Sequence, residues 1–146
     1  CRLAGSFAVT SSGLMIRVTT TTLALALFLM GIDAVAAQPP RLQEGLASFY
    51  GAGFEGRKTA SGERFHRNDL TAAHPGYPGG TVLKVTNVEN SRSVRVRVTD
   101  RGPARPQRRK GVIIDLSRAA ARRLRFTHQG RARVRVEVVK MGREKR

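Results

Sequence analysis

Three polar side chains in short, turn-rich motifs carry most of the chemistry that this sequence offers. They are Asp100 in Asp100-Arg101-Gly102-Pro103, Glu63 in Thr59-Ala60-Ser61-Gly62-Glu63, and His74 in Thr71-Ala72-Ala73-His74. Two carboxyls and an imidazole at element ends suit acid catalysis on a polar polymer. Asp100 ends an alternating β-segment and is held by a turn and Pro103, which makes it the first choice of proton donor; its plain alternative is capping that turn. Glu63 sits in a loop, where a glutamate is usually solvated. Folded back towards Asp100, it would push one of the two carboxyl pKa values up. His74 could orient a carboxylate or a substrate hydroxyl, or rest as a satisfied histidine beside the core.

Several neighbours have weaker claims. Phe49 and Tyr50 could stack on sugar faces, although aromatics after a first strand are more often core. Arg101 could pair with a substrate carboxylate, or with Asp115 or Glu63. Asp115, just ahead of a helix, reads as a backbone cap. The basic run from Arg105 to Lys110 follows the Asp100 turn directly and is either a surface for anionic polymer or a solvated loop.

The elements that must position these groups are short. Ser93 to Thr99 alternates, with Val94, Val96 and Val98 on one face and Arg95 and Arg97 on the other, the mark of a half-buried strand. Ala132, Val134, Val136 and Val138 repeat the pattern against Arg131, Arg133, Arg135 and Glu137. Val82 to Val85 reads as a strand before a turn over Asn87 to Ser91, and Val112 to Ile114 as a short apolar strand. Ser117 is a good N-cap for a helix over Arg118 to Leu124 that buries Ala120, Ala121 and Leu124. Many short strands, Gly/Pro turns and one or two small helices favour an all-β fold, a compact barrel.

The chain has 146 residues and a formal net charge of +17. From Met15 it reads as a secretory signal: Arg17, an apolar run from Leu23 to Met30, and small residues at Ala34-Val35-Ala36-Ala37. The expected organisation is therefore 1–37 signal and upstream segment, 38–44 a short linker, 45–140 the barrel and 141–146 a basic tail. The apolar run is too short for a stable membrane span, so the expected location is periplasmic or secreted. Residues 1–37 contribute Arg2 and Arg17 against Asp33, so all but one unit of the +17 lies beyond them. Such a field attracts polyanions, which for an exported protein means envelope polymers. Nucleic acid suits the charge equally, but no recognition-helix motif is present and the basic residues alternate along strands. Cys1 is the only cysteine and there are 3 histidines, so neither a disulfide, a zinc cluster nor any other cofactor is expected. A barrel of this size is expected to work as a monomer.

In order and spacing, Ala47-Ser48-Phe49-Tyr50-Gly51, Thr59-Ala60-Ser61-Gly62-Glu63, Leu70-Thr71-Ala72-Ala73-His74, Asp100-Arg101-Gly102-Pro103 and Ile114-Asp115-Leu116-Ser117 resemble the rare lipoprotein A (RlpA) family. The resemblance runs over roughly residues 45 to 139. It implies a six-stranded double-psi β-barrel and a lytic transglycosylase acting on peptide-free peptidoglycan glycan strands, leaving 1,6-anhydro-N-acetylmuramic acid ends. It also implies that Glu63, His74 and Asp100 form the functional trio. The alternatives are a non-catalytic, expansin-like wall-binding barrel of the same shape, or a basic envelope adaptor contacting anionic polymer through the arginine rows. The chain departs from the family pattern in Phe49, where tryptophan is common, in Tyr77, where leucine is common, and in the insertion-like, unusually basic run from Arg105 to Lys110.

Overall fold

A computed structural model describes residues 41–143, and the expected signal segment lies outside them. Six strands close into one barrel in the order β1-β5-β2-β4-β3-β6. They are β1 (Leu42–Phe49), β2 (Thr71–Ala73), β3 (Val82–Asn87), β4 (Ser93–Asp100), β5 (Val112–Leu116) and β6 (Ala132–Lys140). Two short helices, α1 (Arg105–Arg109) and α2 (Arg118–Arg123), cover connections. The expected small all-β barrel is therefore what forms. Its sheet is mixed: β1 with β5 and β2 with β4 run parallel, and the other pairs antiparallel.

Period-2 patterning closes it. Val94, Val96 and Val98 of β4, Leu83 and Val85 of β3, and Val134 and Val136 of β6 are all buried, while Arg95, Arg97, Arg133 and Arg135 face water. Closure removes every sheet edge, so this alternation leaves no unpaired strand to protect. Phe126 and Leu124, delivered by α2 and the turn after it, fill the interior against Leu116 and Ile114. Ser117 caps α2 as expected, its hydroxyl accepting from the Ala120 N–H at 3.3 Å.

Three boundaries differ from the expectation. β1 begins at Leu42, inside the stretch read as linker, because Gln43 and Glu44 pair with Val136 and Arg135 of β6. Leu42 is more than half exposed, so it gave little sign of a strand. β5 continues past Ile114 to Leu116, which makes Asp115 a strand residue and not a helix cap. The basic run after Asp100 is ordered as α1, with Pro106 in its first turn.

Candidate active site

The register lines up one row of residues across four adjacent strands. Ser48 of β1 is opposite Asp115 of β5, Asp115 is opposite Ala73 of β2, and Ala73 is opposite Asp100 of β4. Alternation within β4 alone would put Asp100 on the same face as Val98. The β2–β4 register shifts between Ala72 and Ala73, so that Val98 pairs with Ala72 but Asp100 with Ala73. This irregularity turns the Asp100 carboxyl towards the Asp115 side, a common use of bulges beside functional sites. With one strand between them, the two aspartate backbones lie about 10 Å apart, within the convergence of two side chains.

Both acids line a cleft of about 700 Å³ at this end of the barrel, a volume typical of small-ligand and sugar sites. Ser48, Phe49, Tyr50 and Phe54 line it together with Arg101, Arg105, Gln107 and Arg108. Gly102 passes closely over the floor: a Cβ there would lie 3.5 Å from Asp115 Oδ2 and 3.3 Å from Ala73 Cβ.

The two aspartates have different surroundings. Asp100 accepts three hydrogen bonds: Ala60 N–H and Arg101 N–H on Oδ1 at 3.0 and 2.8 Å, and the Tyr50 hydroxyl on Oδ2 at 3.1 Å. Burial, reinforced by the Asp100 charge, drives the Tyr50 phenol far above its ordinary pKa, so it remains a donor. Asp115 is reached by the Ser48 hydroxyl. Burial pushes the Asp115 carboxyl above its ordinary pKa and the Asp100 charge adds to the rise; the Ser48 bond opposes it. One acid is thus held by fixed donors, and the other is biased towards its protonated form.

The expected trio is only partly gathered. Asp100 lines the cleft, whereas Glu63 and His74 are not among the residues that do. Glu63 lies on the outer face, its carboxylate gripped by Arg97 with both N···O distances 2.8 Å. Its loop still reaches the site, since Ala60 N–H donates to Asp100 and Ser61 N–H to the Thr99 carbonyl at 3.0 Å. His74 is buried and stacks on Tyr77 with 4.3 Å between ring centroids. Nδ1 accepts from Gly76 N–H at 3.0 Å, so Nε2 carries the proton and faces Gln43 Oε1 at 3.3 Å. The His74 backbone N–H donates to the Asp100 carbonyl at 3.1 Å. All three motifs therefore converge on Asp100, two of them through backbone.

Burial takes the His74 pKa down to about 4 from 6.5. Below pH 6.5 the unfolded chain binds a proton that the folded chain refuses, so this group's stability is complete above 6.5 and is lost as pH falls towards 4. The loss is up to about 3 kcal/mol. Urea unfolding at pH 7 and pH 4.5 should show this part of the acid loss disappearing in His74→Gln; an unchanged slope would remove the assignment.

Among the aromatics, Phe49 leans edge-on against core Phe126 at 5.8 Å, and Tyr50 is wedged between Phe65 and Phe54 at 4.5 and 5.2 Å. The ring that remains open is Phe54, 44% exposed, with Arg57 over it at 5.4 Å. Phe54, Ser48 and Asp115 are the site residues that sequence reasoning missed or discounted. The alternation in Val112-Ile113-Ile114-Asp115-Leu116 could have marked Asp115 as the strand's non-core face.

A family model described as lytic transglycolase matches residues 42–136. The chain belongs to this family, on its RlpA-like branch. It is 50% identical over 99 residues to the endolytic peptidoglycan transglycosylase RlpA of Campylobacter jejuni, covering 68% of this chain and 34% of that protein. Against the protein of that name from Neisseria meningitidis it is 49% identical over 100 residues, 68% of this chain and 40% of the relative. The chain thus spans roughly a third of the length of the curated relatives it matches. Among solved structures, a Streptomyces papain inhibitor aligns with a TM-score of 0.54 at 22% identity, over 68% of this chain and 94% of that one. The expansin of Clavibacter michiganensis aligns at 0.52 and 23%, over 70% and 52%. The barrel of this RlpA-like chain is the double-psi β-barrel that the family's motifs implied.

Proposed function

We propose that this RlpA-like barrel is an exported lytic transglycosylase that cuts peptidoglycan glycan strands in the Asp100–Asp115 cleft. The observation that carries the mechanism is the unequal pair: two carboxyls share one cleft, with Asp115 biased towards its acid form and Asp100 held by three donors. Environments that separate two carboxyls divide acid from base work. The secretory signal read over residues 15–37 supports export, and the relatives named as peptidoglycan transglycosylases support the substrate.

Asp115 gives its proton to the glycosidic oxygen as the bond from that oxygen to the muramyl anomeric carbon breaks. The sugar's own 6-hydroxyl then closes onto that carbon, giving the 1,6-anhydro ring, and its proton passes to Asp100. Proton exchange with solvent restores both acids. No water enters the product, so the reaction needs neither a second-face water nor a covalent nucleophile. As positive charge develops at the anomeric carbon, Asp100 stabilises it from a position fixed before the reaction begins. Tyr50 and the Ala60 N–H are positioning groups. Glu63 and His74 act through Asp100 as well: the Glu63–Arg97 pair pins the loop that carries Ala60, and His74 ties β2 to the end of β4. Phe54 offers the open ring on which a sugar face can rest.

The test is incubation of the full chain with purified glycan strands and mass spectrometry of the products. Release of 1,6-anhydro ends supports the reading. Retention of the strands without such products would reduce the protein to a wall-binding barrel.

A further inference from the structure

The cleft's cationic side has no role in the acid chemistry, yet it is built as firmly as the acid floor. Arg101, Arg105 and Arg108 line it, and Arg105, Arg108 and Arg109 line a second depression that continues the same surface outwards. Of the exposed arginines elsewhere, Arg97 is matched to Glu63 at 2.8 Å and Arg135 to Glu44 at 2.8 Å, while Arg95 and Arg133 point to open solvent without an ion pair among the described residues, so what distinguishes the cleft arginines is their place beside the acid pair. Among the described residues, none of the ion pairs uses Arg101, Arg105, Arg108 or Arg109.

These cations stand on a fixed mount. Pro103 is buried, the Ala104 carbonyl accepts the Gln107 and Arg108 N–H groups at 2.9 and 3.1 Å, and Gln107 Oε1 accepts from Arg131 at 2.8 Å. Gly111 follows the helix's C-cap Lys110, its φ of +84° suits glycine, and its carbonyl takes the Leu46 N–H of β1 at 3.0 Å. α1 is thereby tied to the strand that also carries Ser48 and Phe49. A neutral polysaccharide would gain nothing from several unmatched guanidinium groups beside the reacting bond. A strand bearing carboxylates would gain charge-assisted, fork-shaped hydrogen bonds.

We propose that Arg101, Arg105 and Arg108 form a carboxylate-binding wall that selects acidic sugar residues on the strand lying in the cleft. The proposal rests on the glycan-cleaving reading given above and adds the feature of the strand that is recognised. Two sources present that chemistry: the lactyl ether of the muramyl sugar once its peptide is gone, and the carboxyls of an attached stem peptide. The wall adjoins the acid pair, so the lactyl group, attached to the sugar being cut, is the expected source.

The full chain is titrated with four strand preparations: peptide-stripped, peptide-stripped with its carboxyls amidated, peptide-bearing, and peptide-bearing with its carboxyls amidated. Dissociation constants are measured separately from turnover. The peptide-stripped strand should bind about tenfold more tightly than its amidated form, the scale of one charge-assisted bond, and the advantage should shrink with salt. Arg105→Ala/Arg108→Ala should bind the two alike, while Arg95→Ala on the far β4 face keeps the preference. A preference found only within the peptide-bearing pair supports the wall but transfers its ligand to the stem peptide. Equal binding of all four preparations, or a preference that survives Arg105→Ala/Arg108→Ala, overturns the proposal. Missing 1,6-anhydro ends on every strand would instead overturn the cleavage reading, and the binding comparison would still decide the wall.

Discussion

Asp115→Asn is expected to lower glycan cleavage roughly a thousand-fold, the scale of losing a positioned general acid. The asparagine keeps the volume and can still meet Ser48, so barrel and cleft persist and strand binding should change little. A second readout separates chemistry from architecture. Burial raises the Asp115 pKa, so stability supplied by its protonated form is complete below the ordinary carboxylate pKa and is lost as pH rises through the raised value. At pH 7, well above the ordinary carboxylate pKa, keeping this aspartate desolvated therefore costs stability that asparagine does not. Thermal melts should show Asp115→Asn equal to or more stable than wild type at pH 7, with the advantage absent at pH 3. A variant that loses stability at pH 7 together with activity would mark Asp115 as a structural residue and end its assignment as the acid.

How much of this was legible in the sequence depended on whether the information was local. The strict alternation of Val94, Val96 and Val98 and of Val134 and Val136 named two barrel strands, and Ser117 ahead of Arg118-Ala119-Ala120-Ala121 named the α2 cap, because each needs only neighbouring residues. Asp100 was also legible, as the polar end of an alternating run. Its partner was not. Asp115 follows three apolar residues and precedes a helix, which locally resembles a cap, and only pairing of β5 with both β1 and β2 reveals that it continues a strand. The register shift that turns Asp100 towards it is a property of two strands that are not neighbours in the sequence, with no signature in either. Glu63 is the converse case: its loop does return to Asp100, but the backbone of Ala60 makes the contact while Arg97 pairs with the carboxylate. The three motifs meet at one aspartate, and the side chain expected to share its proton lies outside the cleft.

The remaining large effect concerns Asp100 itself, where the expected result is a change in the shape of the pH profile as well as in rate. Asp100→Asn removes a charge that stabilises the developing cation, which should cost about a hundred-fold in turnover. It also removes the second cause of the raised Asp115 pKa, leaving burial as the main one. The activity of a protonated acid falls as pH rises through its pKa, so the alkaline limb of the residual activity should move to lower pH in Asp100→Asn. Tyr50→Phe provides the contrast. It deletes one hydrogen bond to Asp100 Oδ2 but keeps the charge, so it should lower the rate without moving that limb downwards. A pH profile of turnover for the three proteins decides between the two possible donors. If Asp100 gave the proton, its asparagine variant would lose the alkaline limb altogether, whereas a limb displaced but intact can belong only to Asp115.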